Sequence, residues 1–101
     1  MTLQEAQHIV AISSTFDLDY QENEYFDQVF KPLRQEVASG NEAVIGYLKG
    51  LSAEELSDVY TAIKWGAKYG KHPDAIRLYV RLCEAESYKI DAEITAPLKQ
   101  A

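Results

Sequence analysis

Residues 51–86 read LSAEELSDVYTAIKWGAKYGKHPDAIRLYVRLCEAE, and we expect the rest of the chain to pack around them. It predicts a helical hairpin, with helices at about residues 52–70 and 73–86. Ser52 is followed three residues later by Glu55, which is the capping-box signature of a helix N-terminus. The sequence therefore marks the start of the hairpin clearly.

Both helices of the hairpin carry an apolar stripe, and a short turn separates them. Gly70 is expected to supply the left-handed residue that ends the first helix. Pro73 suits the first position of the second helix, where its missing N–H costs nothing. Apolar residues recur every three or four positions, which is the period of a buried helix face. They are Leu56, Val59, Tyr60, Ile63 and Ala67, then Ala75, Ile76, Leu78, Tyr79, Val80, Leu82 and Cys83.

Length and composition predict a single helical domain covering residues 1–101. A chain of 101 residues has the size of one domain, and an apolar fraction of 47% is ordinary for a globular protein. No strand pattern occurs, and further amphipathic stretches lead us to expect an all-α, compact bundle of five to six helices. No apolar run approaches the ~20 residues of a membrane span, and no signal-peptide pattern is found. We therefore expect a cytoplasmic protein that does not contact membranes.

Two residues interrupt stretches that are otherwise helical. Pro32 lies within an amphipathic pattern at residues 23–37, where it removes a backbone hydrogen bond. It predicts a kink or a division into two short helices. Gly46 lies inside a short helix that ends at Gly50, and it costs about 1 kcal/mol there relative to alanine. Close approach of a neighbouring helix is one explanation of Gly46.

The acidic residues are concentrated at the start of the chain. The net charge is −6, and residues 1–30 contain six acids and no Lys or Arg. An EF-hand calcium loop starting at Asp17 is excluded, because Gln21, Glu22 and Gln28 stand where Asp or Asn, Gly and Glu are required. The stretch is either a solvated loop or a surface for a basic partner. The candidate partner-binding acids are Asp17, Asp19, Glu22 and Glu24.

A basic stretch surrounds the turn of the hairpin. Lys64 and Lys68 are four residues apart in the first helix, and Arg77 and Arg81 are four apart in the second. Such spacing places each pair on one helix face. The four residues are candidates for binding an acidic partner segment or another anion. The alternative is an ordinary charged face, partly neutralised by the acidic loop of the same chain or of a second copy. The acidity of the whole chain argues against direct nucleic-acid binding, which requires a net basic face. Aromatic side chains nearby are Trp65 and Tyr69.

The sequence contains no recognisable catalytic, metal-binding or cofactor-binding constellation. Cys83 lies on an apolar stripe, where a thiol behaves as a small hydrophobic group. One Cys and two distant His do not form a zinc site. No Gly-rich phosphate loop, nucleophile elbow or HExxH motif occurs. We therefore expect no enzyme activity and no cofactor.

Four stretches resemble a family of small bacterial all-helical proteins with no assigned function: residues 48–59, 65–66, 75–76 and 97–98, which read LKGLSAEELSDV, WG, AI and PL. The resemblance covers about half of the chain. Its main element is a capped amphipathic helix followed by an aromatic–glycine pair. It implies an α-helical fold and supplies no catalytic residues.

The sequence favours a small domain that binds another protein or its own copy. Seven Tyr, one Trp and three Phe are many for a core of this size. Some should therefore be exposed, and Tyr and Trp favour interfaces. The alternative is an acidic inhibitor, such as a phage-encoded one, that occupies the nucleic-acid-binding site of a target protein. The charge of residues 1–30 motivates that alternative.

Overall fold

The computed structural model describes residues 1–15 and 24–99, with side chains from residue 27 onward in the second range. These residues form seven α-helices and no strand, so the all-α prediction is confirmed. In the same residues, no helix combines the length and the apolarity needed to cross a lipid bilayer. The helices are α1 (Leu3–Ser13), α2 (Glu24–Ala38), α3 (Glu42–Lys49), α4 (Ala53–Asp58), α5 (Tyr60–Gly70), α6 (Pro73–Glu86) and α7 (Ala92–Lys99).

The helix expected at residues 52–70 is divided into α4 and α5, which explains why the count exceeds five to six. The start of α4 is as predicted: the Glu55 N–H donates to Ser52 Oγ and the Ser52 N–H donates to the Glu55 carboxylate, each at 3.2 Å. The division lies at Val59. Its N–H donates to the Leu56 carbonyl three residues back, at 3.2 Å, and this tightened turn interrupts the four-residue helical ladder. The interruption lets α4 pack on α6 while α5 packs on both α2 and α6.

α6 is the central helix of the bundle. It packs against α3, α4, α5 and α7, and the stripe expected to be buried is buried, apart from the half-buried Val80. Pro73 begins the helix, as predicted, and the preceding His72 caps it by accepting the Asp74 N–H at Nδ1, at 3.2 Å. The His72 ring lies against Gly40, where a side chain would collide with it. The turn of the hairpin is thereby packed on the α2–α3 connection.

Two glycines of α5 allow α2 to approach closely. A Cβ at Gly66 would lie 2.8 Å from Val37 Cβ, and a Cβ at Gly70 would overlap the backbone of Ala38. The left-handed conformation expected at Gly70 is adopted instead by Lys71, at φ 54°. The prediction for Gly70 is therefore wrong: the residue remains helical, and Lys71 ends the helix. The close approach of α2 explains instead why position 70 has no side chain.

The structure also bears on the expectations for Gly46 and Pro32. A Cβ at Gly46 would meet nothing within 4 Å, so close approach of another helix does not explain this glycine. α2 continues through Pro32 as one helix of 15 residues, which excludes a division into two short helices. Pro32 is exposed, so its ring lies on the solvent side of α2.

Candidate partner-binding surface

The acidic candidates lie largely beyond what the structure describes. Asp17, Asp19 and Glu22 are outside the described residues, and Glu24 begins α2 with its side chain outside the description. Their role in partner binding stays a prediction. The inhibitor hypothesis also stays a prediction, because it depends on the charge of the same stretch.

The two basic pairs have different neighbours. Arg77 pairs with Asp74 on its own helix at 3.0 Å. Arg81 donates to the Lys49 carbonyl and, at 3.2 Å, to the Leu51 carbonyl. These carbonyls lie at the end of α3 and just beyond it, where a cation is favoured by the helix dipole. Two nitrogens of the Arg81 guanidinium therefore donate to backbone carbonyls of the same chain.

The two lysines instead lie over aromatic rings along α5. Lys64 Nζ is 5.8 Å from the ring centroid of Tyr60 and 5.9 Å from that of Trp65. Lys68 Nζ is 5.0 Å from the Trp65 centroid, and the Trp65 and Tyr69 rings stack at 5.7 Å. All these distances are within the range of cation–π and ring–ring attraction. We call Tyr60, Lys64, Trp65, Lys68 and Tyr69 the aromatic–lysine strip.

Tyr88 extends the strip beyond Tyr60. The two ring centroids are 4.8 Å apart, and the Tyr88 hydroxyl lies 3.2 Å from Ser57 Oγ in a hydrogen bond. The end of α6 positions this ring: Ser87 adopts a left-handed conformation at φ 60°, and the Tyr88 N–H donates to the Cys83 carbonyl at 2.9 Å. Such an ending normally contains glycine. Because Ser87 stands where glycine is usual, the sequence did not predict the turn that brings Tyr88 onto this surface.

The strip is accessible to a partner. Tyr69 is 69% exposed and Tyr88 is 39% exposed, while Lys64, Trp65 and Lys68 are half-buried. Within residues 1–15 and 27–99, neither lysine of the strip forms an ion pair. The ammonium groups are thus positioned by the rings, and their charge remains available to an incoming carboxylate.

Two clefts lie beside the strip, along the junction of α5 with α7 and the segment before it. The larger has a volume of about 400 Å³ and contains Lys64, Lys89 and Asp91 in its lining. The smaller, of about 220 Å³, contains Lys68, Lys71 and Glu93. Both clefts therefore carry charges of both signs. The strip itself carries only positive charge, which makes it the more selective surface for an anionic group.

The buried polar groups near the strip have structural explanations. Burial raises the pKa of the Tyr79 hydroxyl, which accepts the Asp91 N–H at 3.4 Å. Cys83 is 0% exposed, as expected, and burial raises the pKa of its thiol. In the described ranges, no three His, Cys, Asp or Glu side chains are grouped so that they could hold a metal ion.

Comparison of the chain with protein-family models, with curated proteins and with solved structures finds no match. The resemblance to a family of small bacterial helical proteins thus stays a prediction. Function has to be inferred from the surface chemistry of the fold.

Proposed function

We propose that this chain is a non-catalytic protein-binding domain, and that its aromatic–lysine strip binds an acidic segment of a partner protein. The observation that supports the proposal is the arrangement of Lys64 and Lys68. Each ammonium lies within 6 Å of the Trp65 centroid, and neither is paired with a carboxylate in the described residues. The strip thus offers positive charge and apolar area on one helix face.

The rings reduce the cost of binding. A free lysine side chain loses rotamer freedom when it contacts a partner, at about 0.5–1.5 kcal/mol for each side chain ordered. A cation–π contact is worth about 0.5–1 kcal/mol at an exposed site, so the rings restrict Lys64 and Lys68 before a partner arrives. Trp and Tyr also supply large, rigid contact areas, which is why they dominate interface energetics.

An acidic protein segment fits this surface better than nucleic acid does. The chain carries a net charge of −6, so a long polyphosphate would be repelled by the rest of the molecule. A short acidic peptide brings a few carboxylates to the lysines, and its apolar side chains can cover the rings. This combination of local attraction and general repulsion favours a partner whose contacting carboxylates are confined to a short segment or a small surface.

Trp65 allows a direct test, because it is the only tryptophan in the chain and it lies inside the strip. The fluorescence of Trp65 should change saturably when a short peptide of alternating Glu and Phe is added. A peptide with Gln in place of Glu should bind weakly. The double variant K64Q/K68Q should weaken binding of the Glu peptide by about tenfold or more, which corresponds to about 1.4 kcal/mol.

The matched control is K31Q/K99Q, which removes the same charge at two exposed lysines outside the strip. It should leave the affinity nearly unchanged. If both double variants weaken binding equally, only net charge matters and the proposal fails. Absence of a Trp65 response to the Glu peptide, or tighter binding of a single-stranded oligonucleotide, would also overturn it.

A further inference from the structure

An acidic surface lies beside the aromatic–lysine strip. Glu54 and Glu55 are four and three residues before Asp58 on α4, a spacing that places side chains next to each other. Glu86 ends α6, which packs on α4. Burial and, to a lesser extent, the negative charges of these three glutamates raise the pKa of Asp58, so all three lie near the Asp58 carboxylate. We call Glu54, Glu55, Asp58 and Glu86 the acidic cluster.

The acidic cluster and the strip belong to one continuous surface. The Tyr60–Tyr88 ring pair, with centroids 4.8 Å apart, stands between them. On one side, the Tyr88 hydroxyl is hydrogen-bonded to Ser57, which precedes Asp58. On the other side, Lys64 Nζ lies over the Tyr60 ring. The surface thus carries negative charge at one end, two tyrosines in the middle and positive charge at the other end.

We infer that the acidic partner of the strip is a second copy of this chain, with the acidic cluster of each copy lying on the lysines of the other. The inference rests on the proposed function of the strip. In a twofold dimer the same surface of both copies forms the interface, and the two surfaces run in opposite directions. A surface with opposite charges at its two ends is therefore complementary to itself, and the Tyr60–Tyr88 pairs meet near the axis.

The charges and the dimensions suit such a pair. None of the four carboxylates forms an ion pair within residues 1–15 and 27–99, so they can pair with the lysines of a second copy. A standard interface covers about 800 Å² on each partner. The chain exposes 6037 Å² and measures 37 × 28 × 24 Å, so such an interface would cover roughly an eighth of its surface.

The test is charge reversal on each end of the surface, followed by mixing. The wild-type chain should sediment as a dimer at micromolar concentration, and added salt should weaken it because the Debye length shortens. K64E/K68E should be monomeric, since its surface is acidic at both ends. E54K/E86K should also be monomeric, since two lysines beside the remaining Glu55 and Asp58 leave its acidic end without net charge. An equimolar mixture of the two variants should form a heterodimer.

The control K31E/K99E changes the net charge as much as K64E/K68E but should remain dimeric. Far-UV circular dichroism of each variant checks that the helices are retained, and recovery of the dimer on mixing excludes misfolding as the cause. A wild-type chain that stays monomeric at high concentration would overturn self-pairing. A dimer unaffected by both reversals would overturn it too, because another face would then form the interface. Titration of Trp65 with the acidic peptide tests the proposed function separately in either case.

Discussion

Replacing Gly46 and Gly70 by alanine should change the stability of this protein in opposite directions. Both glycines lie in helices, so alanine reduces the conformational entropy of the unfolded chain at each. At Gly46 the new methyl group would meet nothing within 4 Å. The gain in helix propensity is then not opposed, and Gly46→Ala should stabilise the fold by about 0.5–1 kcal/mol.

At Gly70 the same methyl group would overlap backbone atoms of Ala38. Backbone atoms within a helix cannot turn aside as a side chain can, so α5 would have to move away from α2. Overpacking of a core costs about 1–3 kcal/mol, and separation of the helices would also loosen the contacts of buried Val37. We expect Gly70→Ala to destabilise the fold by about 2 kcal/mol or more, a large part of the roughly 5–15 kcal/mol that stabilises a domain.

Gly66→Ala should lie between these two variants. Its new Cβ would be 2.8 Å from two side-chain atoms of Val37, and that side chain has some freedom to shift. Urea unfolding followed by circular dichroism gives the three free energies. Thermal melting should move by about 4–8 °C for each kcal/mol. If Gly70→Ala were as stable as the wild type, α2 and α5 could not approach as closely as described.

Three further predictions concern single side chains. Arg81→Ala should lower the free energy of urea unfolding by about 1–3 kcal/mol, since two carbonyls lose a charged donor. Arg81→Lys should restore only part of that stability, because an ammonium lacks the planar fork of a guanidinium. Equal stability of the wild type and both variants would contradict this role of Arg81. The Glu36 carboxylate accepts hydrogen bonds from the Asn41 side chain at 2.7 Å and from the N-terminal ammonium at 3.1 Å, and these lower its pKa. Its stabilising effect is therefore present above the unfolded-state pKa and lost as the pH falls through the folded-state pKa, so Glu36→Gln should flatten the acid side of a stability–pH curve. Cys83 should react with thiol reagents only as fast as the chain unfolds; rapid labelling of the native protein would show that the thiol is accessible.

The sequence alone determined the features that depend on contacts within about four residues. The all-α class, the Ser52–Glu55 capping box, the start of α6 at Pro73 and the burial of Cys83 all follow from helical period and capping. These interactions are local, so the residues that make them can be identified from spacing. The same spacing identified the two lysines of the strip together with Trp65 and Tyr69.

The tertiary structure decided the features that depend on a distant segment. Gly70 cannot carry a side chain because the backbone of Ala38 in α2 occupies the space where a Cβ would lie. Arg81 is held at the end of α3 by a carbonyl 30 residues away, and Tyr88 reaches Tyr60 only because α6 returns along α5. None of these contacts has a sequence period, because each depends on which atoms another helix brings within a few ångströms. The site was therefore visible in the sequence as separate residues, and packing made them one surface.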